Sequence, residues 1–307
     1  MVDFFSFNII LDDIVFPDGR TQMGVLGGSG PQAVFGMRVW SDSVGLIASA
    51  GRDLSAEALA WFNEAGIDLQ ALRRSEFPTP RAWQAMEVDG HRTQVWRVPP
   101  AAISDHLAQD VERIPAVLRA AKGYHYGIHP LDADFRFLGG LKATGALLSL
   151  EVFKSADRLP TAAELEQLVT ASDIFSPNLE EARSLLGSLT PPELLAGLLD
   201  AGAQVVTLRM GGEGALVGRR GSRSAVHVPA VPVRAVDPIG AGNAFCGGFL
   251  AGWRQTGDLA RAAAMGAVSA SFLVEQVGLP RWTEQIRPQA AQRLTYALEN
   301  THVISIP

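Results

Sequence analysis

The chain has 307 residues, of which 47% are hydrophobic, so it can bury a large core in one or two α/β domains. A net charge of −6 and a pI of about 5.5 exclude an overall field that attracts nucleic acid or an anionic membrane surface. The single cysteine, Cys246, excludes an intrachain disulfide and a multi-cysteine metal site, and it is typical of a reducing, cytoplasmic location.

Residues 1–16, MVDFFSFNIILDDIVF, form an apolar segment that predicts a β-strand. Asp3, Asp12 and Asp13 interrupt it and no basic residue precedes it, which is unlike a signal peptide. Outside this segment, no stretch reaches the roughly 18 uncharged apolar residues that a membrane span needs. We therefore expect a soluble intracellular protein.

Short apolar runs rich in β-branched residues alternate with helical patterns along the chain. Strands are predicted at 43–51, 145–153, 173–177 and 205–210, and helices at 55–66, 161–172, 178–187 and 191–203. This alternation predicts a mostly parallel sheet with helices on both faces.

Residues 81–98 interrupt this alternation of strands and helices. Apolar and polar residues alternate on both sides of Asp89-Gly90, which is a hairpin signal. We expect a small antiparallel flap, with Trp83 and Trp96 either closing over a substrate or forming a homodimer interface. Without a repeat or linker, residues 1–307 are predicted to be one domain, whose lid comes from about 11–25 and 78–100.

The segment VDPIGAGNAFCGGF carries the main chemical signal. Residues 226–236 are predicted to be extended and 243–257 helical, which places Gly240, Ala241 and Gly242 at a strand-to-helix turn. Small residues there let the backbone approach a ligand closely, and the first N–H groups of the helix point towards it. The turn is therefore predicted to bind an anion.

This segment resembles the second signature of the ribokinase-like (PfkB) family of sugar and nucleoside kinases, Asp-Thr-x-Gly-Ala-Gly-Asp-x-Phe. Five positions match: Asp237, Gly240, Ala241, Gly242 and Phe245. Pro238 replaces the Thr, and Asn243 replaces the second Asp. The resemblance implies a three-layer α/β sandwich with a mostly parallel central sheet and a small antiparallel β-flap. It also implies that the Gly240–Gly242 amides hold the transferring phosphoryl group and that Asn243 occupies the place of the general base.

Further segments resemble the nucleotide-binding elements of the family. Asn178 and Glu181 match a Pro-Asn-x-x-Glu element, which implies that Glu181 organises Mg²⁺ through water near the phosphates of ATP. The same two residues are also typical of a helix cap. The other positions assigned to nucleotide binding are Arg209, Gly211 and Gly214 in RMGGEG, and Ala270 and Gly278 in the C-terminal helix and loop.

The substrate side of the resemblance lies mostly near the N-terminus. Gly27 and Gly28 match the first signature, and Gln32 stands where the family usually has an Asn that touches the substrate. Asp12 matches the first-strand Asp that typically binds substrate hydroxyls, and Asp237 joins this group from the second signature. The resemblance leaves a monovalent-cation site open.

Asn243 admits three interpretations. The chain transfers the phosphoryl group of ATP to a hydroxyl of a small sugar-like or nucleoside-like molecule, slowed about 10²- to 10⁴-fold by the missing base. Alternatively, His125 or His129, which follow or end an apolar strand, replaces the base. In the third interpretation, the chain binds a nucleotide or metabolite without turnover.

Overall fold

The computed structural model describes residues 2–87 and 92–307, so the predicted Asp89-Gly90 turn lies outside the described residues. Ten described strands form a large sheet. In spatial order they are β14 (His302–Ser305), β13 (Ser224–Val228), β12 (Ala215–Arg219), β11 (Val205–Arg209), β10 (Ile174–Phe175), β9 (Leu147–Val152), β8 (Gly123–Ile128), β1 (Phe4–Phe7), β4 (Val44–Ala50) and β5 (Leu72–Arg74). Neighbours from β5 to β11 are parallel, and β11 to β14 pair antiparallel.

Helices cover both faces of this sheet, as the sequence predicts. They are α1 (Ser29–Arg38), α2 (Ala56–Glu64), α3 (Pro100–Leu107), α4 (Phe135–Lys142), α5 (Ala162–Thr170), α6 (Leu179–Leu186), α7 (Pro191–Asp200), α8 (Ala241–Thr256), α9 (Leu259–Leu273) and α10 (Ile286–Glu299). Within the described chain, no helix combines the length and apolar character that crossing a membrane requires.

Each face of the sheet has its own hydrophobic core. One core takes Phe35 of α1, Phe249 of α8 and Val268 of α9, while the other takes Phe137 of α4 and Leu198 of α7. The strands between them are buried along their length because both faces are covered. The predicted parallel sheet between helical layers is therefore confirmed.

A second sheet has the order β3 (Thr21–Gly27), β2 (Ile10–Val15), β6 (Arg81–Met86) and β7 (Arg92–Trp96). The pairs β2/β3 and β6/β7 are antiparallel, as expected for a flap, whereas the central pair β2/β6 is parallel. The central pair follows strands that are themselves parallel, since β2 comes after β1 and β6 comes after β5 in the chain. Its action as a lid and as a dimer interface remains a prediction.

The N-terminal segment forms two strands, where the sequence predicts one. β1 belongs to the large sheet and β2 to the small one, and they are separated at Asn8, whose φ is 70°. Asparagine tolerates this left-handed conformation better than most residues. The Asn8 side chain also accepts a hydrogen bond from Gln109 Nε2 at 2.7 Å, which ties the bend to the segment after α3.

The extended segment before the Gly240 turn is also shorter as a strand than expected. Only its first three residues belong to β13, and residues 229–239 carry Pro229, Pro232 and Pro238. Proline lacks the N–H that a central ladder needs, so the chain leaves the sheet at Val228. The glycine turn thus follows a loop and not a strand.

Asp13 links the strands of the small sheet. Its fully buried carboxylate accepts hydrogen bonds from Arg81 Nε and Nη2 and from Gly24 N, each at 2.7 Å, and it contacts Arg97 Nη1. Burial raises the pKa of Asp13, but the bonds from Arg81, Gly24 and Arg97 outweigh it and hold the pKa below its usual value. One carboxylate therefore joins β2, β3, β6 and the end of β7.

We predict that Asp13→Asn lowers the free energy of unfolding by about 1–3 kcal/mol at pH 7, because two partly exposed arginines lose their anion. Since the folded-state pKa is lowered, this stabilisation is present above the unfolded pKa of about 3.9 and is lost as pH falls through the folded value. Urea unfolding from pH 7 to pH 3 should show the two proteins converging. The exposed Asp18→Asn variant should unfold like the wild type, and an equal loss in both would contradict the prediction.

Candidate active site

The carboxyl ends of neighbouring parallel strands bring polar side chains to one edge of the large sheet. His125 lies in β8, Glu151 in β9 and Arg209 at the end of β11, while Asn178 follows β10 and bridges to Arg209. In open α/β sheets, the crevice beyond the strand ends is where ligands bind. This edge faces the start of α8, which completes the candidate site.

The first turn of α8 lies in close contact with its neighbours because its residues are small. Gly240 adopts a left-handed conformation with φ 82°, and any side chain there would collide with Gln32. A side chain at Gly242 would collide with the Arg209 guanidinium. The helix N-terminus and the nearby cation both favour an anion, so the turn containing Gly240, Ala241 and Gly242 has the charge that suits a phosphate.

Arg209 joins the elements beneath this turn. Its Nη1 lies 3.2 Å from Glu151 Oε2, its Nη2 lies 3.3 Å from Glu181 Oε2, and Nη2 donates to the Ser176 carbonyl at 2.7 Å. Burial lowers the pKa of Arg209, but the Glu151 and Glu181 carboxylates raise it above its usual value. The guanidinium therefore stays charged and holds β9, β10 and α6 around the start of α8.

Asn178 and Glu181 form the helix cap that the sequence offers as one of their two roles. The Asn178 backbone N and Nδ2 each donate to a Glu181 oxygen at 2.7 Å, and Glu181 N donates to Asn178 Oδ1 at 2.9 Å. Glu181 Oε2 accepts from both Asn178 N and Arg209 Nη2, whereas Oε1 accepts from Asn178 Nδ2 and can also accept from a water. This arrangement fits Mg²⁺ held through water, whereas direct coordination would compete with the cap.

Asn243 lies between Gln32 and Glu151. In one orientation of its carboxamide, Nδ2 donates to Gln32 Oε1 at 2.6 Å and the oxygen faces the Glu151 carboxylate. In the other, the nitrogen donates to Glu151 Oε2 at 3.0 Å and contacts Oε1, and the oxygen faces Gln32. The second orientation removes the contact between the Asn243 oxygen and the Glu151 carboxylate, and it leaves that oxygen 2.6 Å from Gln32 Oε1, where turning the Gln32 carboxamide as well supplies a donor. Asn243 is thus bound to an anion from a neighbouring strand.

Glu151 is the residue of this site that the sequence analysis missed. Its carboxylate is buried, and it lies 3.6 Å from His125 Nε2 and 3.9 Å from Cys246 Sγ. The available signal was a lone acidic residue inside the apolar strand LLSLEVF, since a charge buried in a sheet needs a partner or a function. Pattern reasoning treated this run as sheet core only.

The two histidines considered as replacement bases lie in different places. His125 is fully buried within β8, and its Nδ1 lies 3.1 Å from Ser149 Oγ. His129 follows the strand and packs edge-on against Phe153. His125 therefore reaches the site only through its contact with Glu151 inside the sheet. Its assignment as a base stays a prediction.

His125, Glu151 and Cys246 have metal-ligand atoms within 4.8 Å of one another. Burial raises the pKa of Cys246 to about 12, so the thiol is neutral and a weak ligand. Arg209 already supplies a positive charge to Glu151 at 3.2 Å. A divalent cation would have to displace that ion pair, so the cluster is better described as a buried ion-pair network.

The predicted substrate residues flank α1. Asp12 accepts from Gln84 Nε2 at 2.7 Å, and a side chain at Gly27 would collide with it. Gly28, with φ 84°, is the N-cap residue of α1, and α1 carries Gln32. On the other side, Asp237 Oδ1 accepts from Ile239 N at 3.0 Å and so fixes the turn before Gly240. Their contact with a substrate remains a prediction.

The remaining nucleotide positions occupy separate segments. Gly211 and Gly214 have φ values of 61° and 90° in the turn between β11 and β12, where a side chain at Gly214 would collide with the backbone of β13. Ala270 lies on α9, half-buried against the core. A side chain at Gly278 would collide with Val25 of β3, which brings this loop to the small sheet.

A family profile for the pfkB family carbohydrate kinases matches residues 19–284. The chain belongs to this family. It is 24% identical over 273 residues to the cytidine kinase of Thermococcus kodakarensis, with 88% of this chain and 95% of that protein covered. It is also similar to the crystal structure of adenosine kinase from Sinorhizobium meliloti, with a TM-score of 0.77, 19% identity and coverage of 95% and 99%.

A third likeness is to the structure of fructokinase with bound ATP from Xylella fastidiosa, with a TM-score of 0.75, 19% identity and coverage of 96% and 98%. These structures confirm the predicted ribokinase-like fold. The family match confirms the predicted resemblance and makes the chain a kinase of the pfkB type.

Cys246 lies in α8 of this pfkB kinase, and its thiol is buried. Because the thiol is buried and its pKa is raised to about 12, labelling by a thiol-reactive dye at pH 7.5 requires local opening. We expect native protein to react at least about 10³-fold more slowly than protein in 8 M urea, measured by absorbance. Rapid labelling of the native protein would show that the start of α8 opens freely.

Proposed function

We propose that the protein transfers the γ-phosphoryl group of ATP to a hydroxyl of a small sugar-like or nucleoside-like molecule. The observation that carries this proposal is the first turn of α8, where Gly240 and Gly242 let the helix N-terminus lie directly against Gln32 and the Arg209 guanidinium, next to Asn243. Such a turn stabilises the charge of a transferring phosphoryl group by position, which is most of what phosphoryl transfer needs.

Different residues of the chain would bind the phosphoryl group, the metal and the acceptor. The amides of Gly240–Gly242 bind the transferring group, and Asn243 orients the acceptor hydroxyl. Mg²⁺ bound with ATP would neutralise phosphate charge, with Glu181 and Asn178 holding it through water. Asp12 and Gln32 would bind the hydroxyls of the acceptor. Because an amide does not accept the proton, the acceptor hydroxyl would pass its proton to a phosphoryl oxygen or to water as the new P–O bond forms, and turnover would be slower by about 10²- to 10⁴-fold.

The relatives support an acceptor of this class. Proteins named for cytidine and adenosine phosphorylation share the fold or the sequence, and so does one named for fructose phosphorylation. A nucleoside carries a ribose, so a pocket with hydroxyl-binding carboxylate and amide groups suits either molecule. A monovalent cation and a homodimer through the small sheet are further predictions.

A second function is favoured by one observation. The Asn243 carboxamide is already bound by Glu151 and Gln32, which suits a site that holds a nucleotide without transferring its phosphoryl group. In that case ATP binds and no acceptor stimulates ADP release. The two functions therefore separate in a single assay.

We predict acceptor-dependent ADP release from MgATP across a panel of sugars, polyols and nucleosides. Gly242→Asp, which places a carboxylate against Arg209 and in the anion site, should abolish ATP binding in calorimetry and ADP release together. Gly139→Asp, on the exposed face of α4 with open space around it, is the matched control and should bind ATP normally. Unchanged ATP affinity in Gly242→Asp would refute the site, whereas binding without turnover on every acceptor would favour the second function.

We also predict that Asp12→Asn weakens binding of the acceptor substrate and leaves binding of ATP unchanged. Losing a hydrogen bond to a charged group costs about 1.5–3 kcal/mol, so KM for the alcohol substrate should rise about 10- to 150-fold. The KM for ATP should stay within about twofold. The same loss for both substrates would indicate a structural role for the Asp12–Gln84 pair.

A further inference from the structure

The contact between Asn243 and Glu151 joins two elements that meet only in the folded chain. Asn243 lies in the first turn of α8, and Glu151 lies at the end of β9, 92 positions earlier. A buried carboxylate holds the amide nitrogen at 3.0 Å and by a second, shorter contact. Arg209 Nη1 lies 3.2 Å from the same Glu151 oxygen, Oε2.

This arrangement fixes which end of the Asn243 carboxamide faces Glu151 and which faces Gln32. An asparagine side chain has nearly the same shape in both orientations, so only its partners decide between them. The carboxylate binds the nitrogen, and the oxygen then lies 2.6 Å from the Gln32 carboxamide, whose nitrogen donates to it when Gln32 is turned as well. A carboxamide oxygen has two lone pairs, so one remains to accept from the O–H of an incoming alcohol.

We propose that Glu151 is the positioning residue of this site, which binds the Asn243 amide nitrogen and thereby presents the Asn243 oxygen to the acceptor hydroxyl. The proposal rests on the proposed function. Glu151 also supplies the negative charge that balances Arg209 beneath the phosphate turn. Its effect on catalysis passes through Asn243, so it orients the acceptor without touching the reacting atoms.

The pair has a consequence for substitution. Asn243→Asp places two carboxylates in contact in a buried site, where like charges repel strongly. Glu151→Gln removes the anion from Asn243 and from one side of Arg209. With both changes, one carboxylate and one carboxamide again face each other, with their places exchanged.

The experiment is a double-mutant cycle of Asn243→Asp and Glu151→Gln, measured by thermal unfolding without ligand. We expect each single change to lower Tm by at least about 4 °C, and Glu151→Gln to raise Tm when Asn243→Asp is already present. This reversal of sign is the mark of a paired contact. If Glu151→Gln lowers Tm equally in the wild type and in the Asn243→Asp variant, the two side chains are not paired and the proposal is overturned.

A matched control separates the pair from an effect that passes through Arg209. Glu181 contacts the same guanidinium at 3.3 Å, and Gln there can keep the cap with Asn178. If the coupling belongs to the Asn243–Glu151 contact, Glu181→Gln should lower Tm in the wild type and lower it further in the Asn243→Asp variant. A reversal with Glu181→Gln as well would assign the coupling to Arg209 and overturn the proposal.

Steady-state kinetics then test positioning. Glu151→Gln should lower kcat about 10- to 100-fold with the best acceptor and leave KM for ATP unchanged, as expected when a reacting group is misplaced. An unchanged kcat would overturn the positioning role even if the pair exists. Absence of turnover in the wild type would overturn the proposed function and positioning with it, while the thermal cycle would still decide whether the two side chains are paired.

Discussion

The candidate site depends on one buried cation. The Arg209 guanidinium lies where β9, β10, α6 and α8 converge, and it bridges the Glu151 and Glu181 carboxylates. Taking charges out of water costs several kcal/mol per ion, so this network persists only because each ion has a partner at close range. The cation also holds two acidic residues next to a turn that is suited to a phosphate.

That cation explains several features that look unrelated along the chain. Gly242 lacks a side chain because the guanidinium occupies the space, and Cys246 remains a neutral thiol because it is buried in the same network. Glu181 is held by both the α6 cap and Arg209. The α8 turn, the cap and the strand ends therefore form one unit, in which a change at any of them is felt by the others.

The small sheet follows a similar rule at its own centre, where Asp13 is surrounded by Arg81 and Arg97. Both sheets thus use a buried ionised group to join segments far apart in sequence. The small sheet holds Asp12 next to Gly27, and α1 leads from there to Gln32 and Asn243. These contacts connect the predicted acceptor-binding residue Asp12 with the first turn of α8, which is predicted to bind phosphate.

The sequence by itself determined the architecture, because hydrophobic periodicity and helix caps act locally and are visible in one chain. It also determined the glycine turn, since Gly240 and Gly242 are small whatever surrounds them. It did not reveal the break at Asn8, where a continuous apolar run changes sheets. Only the tertiary structure decided that Glu151 faces Asn243. Their contact depends on how β9 and α8 approach each other, and no local spacing encodes a distance between segments that far apart.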